Sequence, residues 1–341
     1  MKFSLLHPRD QIVTIMQRIY GYSMTTTSGG NLSILDENGD VWITPAGVDK
    51  GSLMPGDIIR VKPDGTVIGP HRPSSEYPFH RAIYARRPDF RAIVHAHPAA
   101  LVSFSIARKI PNTSIIPQAH AVCGQVGYAP YRLPGSEQLG NVIADTFAAG
   151  FDVVLLENHG VVTGAASLPA AFQRFETLDF CARTLIRAET LGEVRSLSRE
   201  EIEGARRRGK KLKTFKPEFH SSCERELRRK MVDIVRRAYA QQLMTSTEGT
   251  VSARVSAECE EDAVSFLITP YGVDRLYLDI DDIVLIRNGE RERRKKPSRA
   301  VRLHQAIYEA HPEIGAVITA QCPSATAYSI TQQKFDTRTI P

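Results

Sequence analysis

Residues 31–44, NLSILDENGDVWIT, read as two short apolar strands, 31–35 and 41–44, folded back on each other around Asn38-Gly39. An Asn-Gly pair between apolar runs is a strong hairpin signal. A second hairpin follows, with Asp57–Val61 and Val67-Ile68 flanking Pro63-Asp64-Gly65. Buried strands are predicted at 92–96 and 153–156. Helices fall between them. Over 10–22 the apolar residues stand at 12, 13, 15, 16, 19 and 20, a helical stripe. The spacing also predicts helices over 77–87, ending before Pro88, and over 139–149, ending at Gly150. A long helix runs from Ser167, with Pro169 in its first turn, to near Leu191. Hairpins with interspersed helices predict an α/β fold built on an antiparallel or mixed sheet. The strict strand–helix alternation of a doubly wound parallel sheet is absent.

The 341 residues allow two domains or one large one. Hydrophobic residues make up 42% and charged residues 24%, as in an ordinary globular chain. No apolar run approaches the 18 or so residues of a membrane span, and the start, MKFSLLHPRDQ, is too short in apolar residues for a signal peptide. Five scattered cysteines without a CxxC pair argue against a disulfide framework or a cysteine zinc site, so a cytoplasmic location is expected. The net charge is +6, and 195–216 alone holds nine Lys/Arg against three Glu. A second basic cluster is RERRKK at 291–296. No nucleic-acid signature accompanies either cluster, and both read as solvated segments.

The chain repeats itself. ITPAGVDKGSLMPGDIIRV at 43–61 matches ITPYGVDRLYLDIDDIVLI at 268–286 in nine of 19 positions. Residues 80–106 match 304–330 in nine of 27. A domain over 1–195, a basic linker over 196–216 and a second, degenerate copy over 217–341 follow from this. Pro341 aligns with Pro117, so the second copy reads as truncated, without a counterpart of FDVVLLENHG.

Two constellations carry chemistry. His95 and His97 close the apolar strand at 92–96 and share one face, as alternate strand residues do. They read either as two ligands of one divalent metal or as a core or surface pair. His159, just before Gly160, follows another buried strand, and Glu76 stands at a helix start. Three histidines and a glutamate suffice for a tetrahedral zinc site or an open catalytic one. The second constellation suits an anion. The glycine-rich stretch 25–31, ending in Gly30 and Asn31, could cradle a phosphate. Ser74 and Ser75 sit at a predicted helix N-terminus, and Gly47 offers bare backbone. Each of these is also a common turn composition.

Taken in order, SGGNLS, ITPAGV, PSSEYPFH, IVHAHP and LLENHGVVTG resemble the class II aldolase/adducin family. The resemblance spans about residues 8–190 and repeats from about 225 to 341. It implies a three-layer α/β/α fold with a central, mostly antiparallel sheet. It also implies a homo-oligomer with sites at subunit interfaces. The family's enzymes act on small sugar phosphates, and its non-catalytic branch is an assembly protein. The resemblance assigns His95, His97, His159 and Glu76 as ligands of Zn²⁺ or another divalent transition metal, with Glu76 also the catalytic base. It assigns Gly30, Asn31, Gly47, Ser74 and Ser75 to the substrate phosphate. Ala46 stands where the aldolase has a hydroxyl residue. No tyrosine stands where the aldolase has its acid, and His120 or Tyr131 substitutes. The implied reaction is retro-aldol cleavage through a metal-stabilised enediolate. Epimerisation, dehydration or decarboxylation on the same site, and an adducin-like assembly role, are the alternatives. In the second copy His95 becomes Thr319, His97 becomes Gln321 and Glu76 becomes Ala300, whereas His80 persists as His304. That copy is expected to bind no metal, and His80 reads as a fold-keeping residue.

Overall fold

A computed structural model describes residues 3–206, 211–255 and 265–339. Residues 207–210 of the basic stretch, Cys259 and Pro341 lie outside the described residues. The chain falls into two compact units, Met1–Arg206 with Ala327–Pro341, and Arg207–Thr326.

In the first unit β1 (Asn31–Leu35) pairs antiparallel with β2 (Val41–Ile43), as the hairpin reading requires. The Asp36 carboxylate holds the turn by accepting from the Asn38 and Asp40 N–H groups and the Trp42 indole. Gly39 supplies the positive φ, +82°. The sheet grows outward through β3 (Ile59–Val61) and β4 (Val67–Ile68). The strand expected from Asp57 starts later because Pro55–Asp57 form a 3-10 turn. On its other edge β1 pairs with β5 (Ala92–Ala96). Beyond it lie β6 (Gly127–Ala129), β7 (Val153–Leu156) and β8 (Gly160–Ala165), giving the order β4-β3-β2-β1-β5-β8-β7-β6. Among the described strands of this sheet only the β6–β7 pair is parallel.

Helices cover both faces. One apolar layer joins α1 (Pro8–Gly21), α3 (Ala99–Ile106), α4 (Pro117–Cys123) and the 24-residue α6 (Leu168–Leu191) to Ala92, Val94 and Ala96. The other joins α2 (Tyr77–Arg86) and α5 (Glu137–Ala148) to Ile93. Because strand side chains alternate, His95 points with Ile93 toward the α2 layer. This is the three-layer α/β/α arrangement with a mostly antiparallel sheet. A further helix, α7 (Arg199–Arg206), occupies part of the basic stretch.

The second unit repeats the first half of that plan. After β9 (Thr214–Phe215) and α8 (Ser222–Ala240) come β10 (Thr250–Arg254), β11 (Ser265–Ile268), β12 (Val284–Arg287) and β13 (Glu290–Glu292). Helix α9 (Val301–Ala310) and β14 (Ala316–Thr319) follow. The order β14-β10-β11-β12-β13-β9 sets β14 beside β10 as β5 lies beside β1. Cys123, Cys181 and Cys322 are free thiols, but Cys223 is held in a disulfide. No described helix is long and apolar enough to cross a membrane.

Candidate metal centre

His95, the last residue but one of β5, lies opposite Asn31 of β1 and Val162 of β8. Its Nδ1–H donates to the Val161 carbonyl at 2.9 Å, so the Nε2 lone pair faces away from the sheet. His97, one step past the strand, brings its Nε2 to 2.9 Å from the His95 Nε2. His159 enters from the tight β7–β8 turn, where Asn158 takes a positive φ of +54°. The donor atoms of the three imidazoles lie within 4.8 Å of one another. Glu76, buried just ahead of α2, completes the cluster, with Oε2 at 3.2 Å from His95 Nε2 and Oε1 at 3.3 Å from His159 Nε2. Residues spread over 83 positions of chain thus converge on one point at the end of β5.

Burial pushes His97 down to about 3 and His159 down to about 4, so both rings are neutral near pH 7 and offer lone pairs. Burial opposes the charge of Glu76, but His95, His159 and the Asn31 amide outweigh it and hold the carboxyl well below the usual carboxylate range. Oε1 of Glu76 is buried without a hydrogen-bond partner among the described residues. An orphaned carboxylate oxygen beside the His159 nitrogen, with the His95 and His97 nitrogens in the same cluster, is a donor set that a tetrahedral divalent cation accepts. The residues fit the group.

Two glycines make room for His97. A Cβ on Gly29 would stand 2.7 Å from the His97 Nδ1, and one on Gly160 would meet the Ala96 carbonyl oxygen and the His97 ring, each at 2.6 Å. The remaining candidates are placed as follows. Gly30, at φ +77°, lies against the His95 carbonyl, which a Cβ would approach to 2.8 Å. Asn31 turns inward, donating from Nδ2 to Glu76 Oε2 at 2.6 Å and accepting at Oδ1 from His80 Nε2 at 2.5 Å. Gly47, at φ +72°, has open space where a side chain would be. Ser74 is buried and its Oγ accepts from the Glu76 N–H, whereas Ser75 is exposed. His120 stands apart from the cluster on α4, beside the Thr113 hydroxyl. Tyr131 is exposed.

Sequence reasoning missed Lys50. Its buried ammonium donates to the Pro45 and Val48 carbonyls and so holds the loop carrying Gly47. Arg275 does the same for Pro270 and Val273 in the second unit. The signal was in the repeat itself, GVDK against GVDR.

A buried glutamate and three histidines, gathered at the end of a central strand in a helix-covered and mostly antiparallel sheet, define an α/β protein with a metal-type centre. The chain belongs to the family described as the Class II Aldolase and Adducin N-terminal domain, whose model matches residues 10–186 and 229–339. It is 34% identical over 201 residues to the 5-deoxy-D-ribulose 1-phosphate aldolase of Bacillus thuringiensis serovar kurstaki, covering 57% of this chain and 92% of that one. It is 30% identical over 200 residues to the 3-oxo-tetronate 4-phosphate decarboxylase of Escherichia coli, covering 55% and 94%. A solved structure of L-fuculose 1-phosphate aldolase superposes with a TM-score of 0.53 at 32% identity, over 57% of this chain and 92% of that chain.

Proposed function

We propose that the first unit is a divalent-metal-dependent lyase that cleaves a small sugar phosphate by a retro-aldol reaction. The observation that carries this reading is the convergence of the His95, His97 and His159 nitrogens on the Glu76 carboxylate. His95, His97, His159 and Glu76 would hold the cation, and imidazole ligands with one carboxylate favour Zn²⁺. When bound, such a cation supplies Lewis acidity toward a carbonyl or hydroxyl oxygen. Glu76 is the base that takes the proton of the substrate hydroxyl. That oxygen becomes a carbonyl as the adjacent C–C bond breaks, and the bond's electron pair passes into the neighbouring carbonyl. Carbon is then reprotonated by the acid. His120 is the candidate donor. The Thr113 hydroxyl donates to the Gly124 carbonyl, so it accepts from the His120 Nδ1–H and leaves Nε2 to carry the mobile proton. Of the five positions assigned to the phosphate by the resemblance, Gly30, Gly47, Ser74 and Ser75 are retained in this proposal, and Asn31 is set aside because its amide donates to Glu76. The enzyme is proposed to act as a homo-oligomer in the cytoplasm.

The test begins with metal content. Purified protein should carry about one zinc per chain by elemental mass spectrometry, and His95→Ala with His97→Ala should abolish both metal and turnover. A panel of ketose 1-phosphates and a 3-oxo acid phosphate then separates aldol cleavage from decarboxylation. Should no divalent metal bind at neutral pH, the lyase reading fails. His120→Ala should lower kcat by about 100-fold, and an unchanged kcat would remove that residue from the mechanism.

A further inference from the structure

We propose that Asn31 and His80 are positioning residues, which hold the Glu76 carboxylate toward the histidine cluster through a one-way chain of buried hydrogen bonds. This rests on the reading of Glu76 as the base. The direction of each link follows from the one before it. An ionised carboxylate only accepts, so the Asn31 amide nitrogen must face Glu76 Oε2, at 2.6 Å. The Asn31 carbonyl oxygen then faces His80 and needs a donor, so His80 carries its proton on Nε2, at 2.5 Å. The His80 Nδ1 is left with a lone pair and accepts from the Ser33 hydroxyl at 2.7 Å. The Ser33 oxygen in turn accepts from the Tyr84 O–H at 2.7 Å. Ser33, His80, Asn31, Tyr84 and Glu76 are all buried, so no link has water as a ready substitute. The chain ends on Oε2 and leaves Oε1 of Glu76 without a hydrogen-bond partner among the described residues, facing His159.

The second unit supplies the control. Ser252 bonds His304 Nδ1 and the Tyr308 hydroxyl, each at 2.7 Å, repeating the inner part of the chain. There Thr250 replaces Asn31 and Ala300 replaces Glu76. The buried His304 Nε2 has no hydrogen-bond partner among the described residues. The serine, histidine and tyrosine therefore serve the fold without any carboxylate. The asparagine link is present in the unit that has a carboxylate to hold and missing from the unit that does not.

Four variants and one spectrum test this. Asn31→Leu and His80→Leu should each lower kcat by about 10- to 100-fold with KM held, the usual scale for removing a partner that orients a site group. His80→Gln, which keeps a donor near Nε2, should retain most of kcat. His304→Leu should cost similar stability and leave kcat unchanged. A rise in KM with kcat unchanged in Asn31→Leu would make Asn31 a phosphate ligand and overturn the proposal. So would equal kcat in His80→Leu and His304→Leu. If no substrate in the panel turns over, the lyase reading fails independently, and the chain of bonds is read from the tautomer alone. In a nitrogen-15 spectrum of histidine-labelled wild-type protein, His80 should be the neutral Nε2–H form. The Nδ1–H form would reverse every link and refute the positioning role.

Discussion

Gly29 and Gly160 matter because of what they let His97 do. Ring atoms lie only 2.7 and 2.6 Å from where a Cβ at Gly29 or Gly160 would be, so the place of the His97 imidazole is set by the absence of side chains on two other segments. Gly29→Ala should therefore push the His97 imidazole off the cluster. The expected result is a 10- to 100-fold weaker affinity for Zn²⁺ or Co²⁺, on the scale found for disturbed ligand orientation, with the fold intact. Chelator competition followed by circular dichroism checks both halves of that statement. At this scale the members of the cluster were legible: His95, His97, His159 and Glu76 stand in short motifs whose residue types suit a metal. The inward turn of Asn31 was not. Its side chain looks the same in the sequence whether it faces a phosphate or a carboxylate, and only the neighbours supplied by α2 select between them.

Helix α6 shows how an element responds to pH. Asp179 is buried near its middle with Arg183 at 2.9 Å, one turn on. Burial pushes the carboxyl up to about 6 despite that arginine. Its native pKa then lies above the unfolded value of 3.8, so between those limits the folded chain keeps a proton that the unfolded chain releases. Stability from this residue is present at low pH and lost as pH rises through 6. Relative to Asp179→Asn, the wild type should lose on the order of 3 kcal/mol between pH 4 and pH 7. Chemical denaturation of both proteins at the two pH values measures it, and a difference that ignores pH would refute it. Elements also differ in how readable they were. The β1–β2 hairpin, α2 and β5 carry turn signals, a proline stop and an apolar run. Helix α3, AALVSFSI, is apolar nearly all round and has no face to betray its period. Helix α4 has seven residues, too few for a pattern. Strand β8 begins and nearly ends in glycine, which reads as loop until β5 and β7 pair with it on both sides.

Across the whole molecule, two units share a strand plan and differ in chemistry. Thr319 on β14 occupies the place of His95 on β5, facing Thr250 as His95 faces Asn31. With Gln321 and Ala300 in the positions of His97 and Glu76, the second unit has no comparable donor set among the described residues. Metal stoichiometry should accordingly be about one per chain, the count for a single Zn²⁺ site. It should fall to zero with His95→Ala and His97→Ala and stay unchanged with His304→Leu. Two metals per chain would show that the second unit binds after all. The repeat, the hairpins and the residue types of the site were all determined by the sequence alone. Neighbours along the chain control turns, helical stripes and strand alternation, and those signals survive in a string of letters. The tertiary structure alone decided that Glu76 and three histidines, spread from position 76 to 159, would meet, that Gly29 would clear space for His97, and that Tyr84, Ser33, His80 and Asn31 would link up in a line to Glu76. Burial removes water as an alternative partner, so each polar group must take the one neighbour that the packed sheet and helices bring to it.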